Sequence, residues 1–120
     1  MSSYVSIVGV HHYFGLYIFK VGQTLILRKD YQNRYDDEAI QVEIENVGKV
    51  GYVANSTQTV ARGCQSAGRI YDSFNDQTKA LGRFIVNNTV IAEISREEEV
   101  ICQVVIRVLK KNSGQWLTNY

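Results

Sequence analysis

The sequence predicts a mainly β domain: a small antiparallel barrel, OB-like or SH3-like, closed or nearly so, with one or two short α-helices. Three observations predict it. Apolar and polar residues alternate with period two from Ile40 to Ile44, the mark of a half-buried strand. Many short segments rich in β-branched residues are separated by turn residues. The chain also has no proline and eight tyrosines, a composition that favours strands and aromatic surface over linkers.

Taken in order, residues 4–10 (YVSIVGV) read as a first strand that bends at Gly9. His11, His12, Tyr13, Phe14 and Gly15 follow as a turn packed partly against the core, and residues 16–19 as a loop or short edge segment. Residues 24–29 (TLILRK) form a second strand ending in two cations, Arg28 and Lys29. Asn33 and Asp36 are turn formers, because their side chains bond their own backbone, and they leave Arg34 and Tyr35 at the mouth of the next strand. There Ile40, Val42 and Ile44 face a core, and Gln41 and Glu43 face out.

The connection at Asn46, Val47 and Gly48 returns the chain as a hairpin over residues 49–54 (KVGYVA). Asn55 or Ser56 supplies an N-cap, with Gln58 in capping-box position, for a short amphipathic helix carrying Thr57, Val60, Ala61 and Cys64 and stopping near Gly68. Residues 70–78 read as a second short helix and a loop. From Lys79 the strand pattern resumes over residues 82–86, turns at Asn87 and Asn88, and returns over residues 89–94. After a charged connection, residues 100–109 (VICQVVIRVL) form a last strand buried on both faces.

At 120 residues and 13.6 kDa, one domain over residues 1–109 with a loosely held tail over 110–120 is expected. A formal charge of +1, from 13 basic and 12 acidic residues, excludes a histone-like polycation and leaves room for a local basic patch. Apolar runs fall short of a membrane span and no signal peptide opens the chain, so a soluble, cytoplasmic protein is expected. Cys64 and Cys102 form no CxxC pair and are expected to be reduced and buried.

Arg28, Lys29 and Arg34 cluster in sequence around Tyr35, and Lys49 can join them through the hairpin. Cations for phosphates beside a ring for bases is the usual division of labour on single-stranded nucleic acid. His11 and His12 are adjacent and lack a third ligand at useful spacing, which argues against a metal. Asp36-Asp37-Glu38 lacks the spacing of an EF-hand. No Walker, GxSxG or HExxH motif occurs, so neither catalysis nor a cofactor is expected.

Val8-Gly9-Val10 with Tyr13 and Gly15, then Gly22, then Asn33-Arg34-Tyr35-Asp36 with Ala39-Ile40-Gln41-Val42, then Val50-Gly51-Tyr52-Val53-Ala54, together resemble the HIRAN domain. That resemblance implies a modified OB barrel with two helices. In the fork-remodelling helicase-like members it implies capture of the free 3′-hydroxyl end of single-stranded DNA. Carried over, Asn33, Tyr35 and Asp36 lie in the end-binding pocket, with Tyr35 stacked on a terminal base and Asp36 accepting a bond from the hydroxyl. The chain departs from the family pattern at four places: His11 and His12 replace basic and aromatic residues, Arg34 a proline, Tyr52 a polar or basic residue, and Asn55 a lysine. The candidate interface is therefore Tyr35, Asp36, Asn33, Arg34, His11, His12, Tyr13, Tyr52, Arg28 and Lys29, and the partner single-stranded DNA. A protein-interaction module using the same barrel surface is the competing expectation.

Overall fold

The computed structural model describes residues 2–95. Six antiparallel strands, β1 (Ser2–Val8), β2 (Thr24–Lys29), β3 (Ile40–Ile44), β4 (Gly48–Val53), β5 (Gln77–Val86) and β6 (Thr89–Ser95), close in the order β1-β4-β3-β2-β5-β6. Between β4 and β5 lies one short α-helix, α1 (Ala67–Ile70). The mainly β barrel expected from the alternation is what forms. The expected strand at residues 100–109, the tail at 110–120 and Cys102 lie outside the described residues.

Period-two patterning builds the core. Ile40, Val42 and Ile44 of β3 point inward and are buried, and Gln41 and Glu43 on the outer phase are half-buried. Leu25 and Leu27 of β2, Val5 and Ile7 of β1, and Val50 of β4 meet them with no exposed surface. The β4–β1 seam needs a missing side chain: a Cβ on Gly51 would stand 2.9 Å from the Val8 carbonyl oxygen and 3.0 Å from Ile7 Cγ2. β1 ends where Gly9 turns left-handed (φ 72°), and a 3-10 helix, Val10–His12, runs on beside β4. Only Val10 of that helix is buried. Tyr13 and Phe14 are exposed, not packed on the core as the sequence predicts, because the helix turns them outward at its end.

The helix expected over residues 57–64 does not form. One turn starts, with the Thr59 and Val60 amides donating to the Ser56 carbonyl, both at 2.9 Å. A tertiary contact then diverts the backbone: the Ala61 amide donates to Oγ of buried Ser6 in β1 (3.2 Å), and that hydroxyl donates to the Thr59 carbonyl (3.4 Å). Gly63 at φ +84° completes the break. A buried hydroxyl without a partner costs about 1–3 kcal/mol, which outweighs the weak helix preference of a Thr- and Val-containing segment. The helix instead starts after Ser66, whose Oγ accepts from the Arg69 amide (3.2 Å).

Residues 71–73 form the second short helical turn as a 3-10 helix. β5 then begins at Gln77, earlier than its sequence pattern shows, because Thr78 and Ala80 pair with Leu27 and Leu25. Asn87, at φ 55°, makes the β5–β6 turn. Cys64 is half-buried rather than buried, and desolvation raises its thiol pKa, which makes it a poor nucleophile.

Candidate functional site

The β2–β3 loop, residues 30–39, is held by its own short polar side chains. Asn33 Oδ1 accepts from the amides of Tyr35 (2.9 Å) and Asp36 (3.0 Å). Asp30 Oδ1 accepts from the Gln32 amide (3.3 Å), and Asp36 Oδ1 from the Glu38 amide (2.9 Å). The Asp30 amide closes the loop onto the Ala39 carbonyl at 2.9 Å. These are the Asx turns that Asn33 and Asp36 predict. Their consequence is display: the Tyr35 side chain is 97% exposed, and Arg34 beside it is also exposed.

A second set of bonds ties this loop to the chain beyond β4. Asn55 Nδ2 donates to Asp36 Oδ2 (2.8 Å), and Asn55 Oδ1 accepts from the Gly68 amide in α1 (2.8 Å). Asn55, read from sequence with Ser56 as an alternative N-cap of the helix that does not form, thus bridges the loop to the helix that does. Glu38 lies against the same place, since a Cβ on Gly68 would fall 2.6 Å from Glu38 Oε1.

Tyr52 stands on the outer phase of β4, opposite Gln41. Its hydroxyl donates to Asp30 Oδ2 (2.6 Å) and accepts from Lys49 Nζ (2.9 Å). The ammonium lies 4.9 Å from the Tyr52 ring centre and 5.7 Å from that of Tyr13. This chain polarises all three groups. The Tyr52 bond holds the Asp30 carboxyl below the usual aspartate range and raises the Lys49 pKa; burial, then the bond to Asp30, raises the Tyr52 pKa. His11 and His12, exposed in the 3-10 helix, immediately precede Tyr13.

Asn33, Tyr35, Asp36 and Arg34 therefore share one pinned loop, which Tyr52 reaches through Asp30; Tyr13 joins this group through the Lys49 ammonium, 5.7 Å from its ring centre. Arg28 and Lys29 are engaged elsewhere. The Arg28 guanidinium pairs with Glu43 (Nε to Oε2, 2.8 Å), and Gln41 also donates to that carboxylate. Lys29 follows the inward phase of Leu25 and Leu27, donates to the Phe74 carbonyl (2.8 Å) and sits 4.3 and 5.0 Å from the Tyr71 and Phe74 ring centres. It closes the end of the barrel. Among the described residues no group of three or more His, Cys, Asp or Glu side chains could hold a metal, and no helix is long and apolar enough to cross a membrane.

Sequence reasoning passed over Asp30 as an anchor and Tyr17 as a displayed ring. Asp30 carried a signal, a turn-forming residue directly after a strand. Tyr17, 98% exposed in the 3-10 helix Leu16–Ile18, carried none, because its segment has no periodicity to assign a face.

Two solved structures share the fold. The HIRAN domain of human HLTF aligns with a TM-score of 0.56 at 19% identity, covering 98% of this chain and 87% of that one. A protein from Lactobacillus plantarum aligns with a TM-score of 0.50 at 19% identity, covering 79% of this chain and 98% of that one. No curated protein matches the chain. The family model of the HIRAN domain matches residues 1–108, nearly the whole sequence and every strand of the barrel, and the chain accordingly belongs to the HIRAN domain family.

Proposed function

We propose that this HIRAN domain is a nucleic-acid-binding module that takes single-stranded DNA at its free 3′ end and carries out no catalysis. Family membership supports nucleic-acid binding in general. The observation that carries the finer reading is the Tyr35 ring, 97% exposed on a loop whose backbone is fixed on both sides of it. Burying such a ring against a base is worth about 1–3 kcal/mol, and a pre-ordered loop loses little entropy in doing so. Asp36 lies next to it. Each of its carboxylate oxygens accepts one bond in the free protein, from Glu38 and from Asn55, and each retains a lone pair for a terminal hydroxyl.

Fluorescence anisotropy with a short oligonucleotide ending in either a 3′-hydroxyl or a 3′-phosphate tests this. Tighter binding of the hydroxyl end is expected, because a phosphate would bring negative charge against Asp36. Equal binding to both contradicts end recognition, and no binding to any DNA at low salt contradicts the nucleic-acid reading.

A protein-interaction module is the second reading. Its support is the β5–β6 hairpin, where Phe84, Ile85 and Val86 are exposed beyond the register slip at Gly82. A Phe84→Ser variant that binds DNA as the unmodified chain does, but loses a purified protein partner, would favour it.

A further inference from the structure

Of the four cations that the sequence gathers around Tyr35, the fold occupies two otherwise and leaves Arg34 exposed on the loop itself. Arg28 is matched by Glu43, and Lys29 is enclosed by Tyr71, Phe74 and a carbonyl. Lys49 differs from both. Among the described residues no carboxylate lies within ion-pair distance of it; its recorded polar bond is to the Tyr52 hydroxyl, and it is half-buried against the Tyr13 and Tyr52 rings. An ammonium has three donors, and this geometry uses one.

Resting on the reading above, we infer that Lys49 is a phosphate-contacting cation of this interface, the one held in place by the Asp30–Tyr52 pair and walled by Tyr13. Tyr52 is the positioning residue. Its hydroxyl accepts a hydrogen bond from the ammonium at 2.9 Å and donates one to Asp30 at 2.6 Å, so the lysine is fixed by a bond to a neutral group. The intervening hydroxyl keeps the ammonium out of a direct pair with Asp30 and leaves two of its donors for a phosphate. The same Asp30 holds the start of the Tyr35 loop through the Gln32 amide. Asp30 thereby joins the anchor of the cation to the first turn of the loop that carries Tyr35, which suits Lys49 to a phosphate of a strand whose base lies on that ring.

The salt dependence of oligothymidylate binding tests this. Each phosphate contact on single-stranded nucleic acid contributes about 0.7 to the slope of log affinity against log salt. Lys49→Gln should lower that slope by about 0.7 and weaken binding several-fold at low salt, while Lys49→Arg retains the slope. Tyr52→Phe should weaken binding without removing the slope contribution, since the charge stays. Arg83→Gln, which removes the ion pair between Arg83 of β5 and Glu93 of β6, should leave the slope unchanged. Melting curves establish that each variant is folded. In the unmodified protein, the Lys49 side-chain NMR resonance should shift on adding oligonucleotide, a readout that no unfolded variant can mimic. A slope that survives Lys49→Gln, a loss seen for Arg28→Gln in its place, or a Lys49 resonance that stays still while the Tyr35 ring signals move, each overturns the inference and leaves DNA binding standing. Absence of binding by the unmodified chain removes the reading on which it rests.

Discussion

Residues 30–38 and 40–44 adjoin in the chain and are held by different means. In the loop, the amides of Gln32, Tyr35, Asp36 and Glu38 are taken by side-chain oxygens of Asp30, Asn33 and Asp36. In β3, strand pairing with β2 and β4 takes over, and the side chains that matter are the buried Ile40, Val42 and Ile44. Polar turns can order a backbone while leaving side chains free, whereas burial orders both. The chain uses the first where Tyr35 must face solvent and the second where a core must close.

The largest effects fall on the strand. Ile40→Ala removes a side chain with no exposed surface from the barrel core and should cost about 2–5 kcal/mol of stability, read from denaturant or thermal melts. A loss under about 1 kcal/mol would mean that β3 is not the core strand described. Asn55→Ala comes next. It frees Asp36 Oδ2 and the Gly68 amide together, for about 1–3 kcal/mol, and should weaken DNA binding as well by loosening the loop. Unchanged binding would show that the loop is ordered by its Asx turns alone.

Tyr52→Phe should cost about 1 kcal/mol near neutral pH, and the loss should depend on pH. The Tyr52 bond depresses the Asp30 pKa, so the folded value lies below the unfolded one. That contribution is complete above the ordinary aspartate range and disappears as pH falls through the folded value. The stability difference between the unmodified chain and Tyr52→Phe should therefore shrink in acid. Smaller still is the effect at Tyr31, whose hydroxyl donates to Asp76 (2.6 Å) and whose pKa is pushed up to about 12 by that bond. Ultraviolet titration should find one tyrosine ionising near that pH, and Asp76→Asn should bring it down.

The same division explains what was legible in the sequence. Period-two alternation predicts β3, and an apolar, β-prone run predicts β2, both with their observed bounds, because burial in a sheet leaves a local mark. Asn33 and Asp36 announce their turn, because Asx turns are local chemistry. What depends on distant residues left no such mark. Thr57, Val60, Ala61 and Cys64 have helical spacing, and nothing near them in sequence tells that Ser6 will claim the backbone at Thr59 and Ala61. Arg28 and Lys29 sit together before the loop, yet successive residues on a strand face opposite ways. That sends one to Glu43 and the other to Tyr71 and Phe74. Asp30 and Lys49 meet only through Tyr52, and three residues on two strand ends show no common spacing.

If the β2–β3 loop displays Tyr35 to a nucleic-acid base, as proposed, Tyr35→Ala should separate binding from folding. The ring is 97% exposed, so its removal should leave the melting temperature unchanged. In an anisotropy titration with single-stranded DNA, the affinity should fall by about 5- to 150-fold, the equivalent of about 1–3 kcal/mol of lost stacking. A Tyr35→Ala protein that melts like the unmodified chain and binds the oligonucleotide equally well would rule out base stacking on Tyr35.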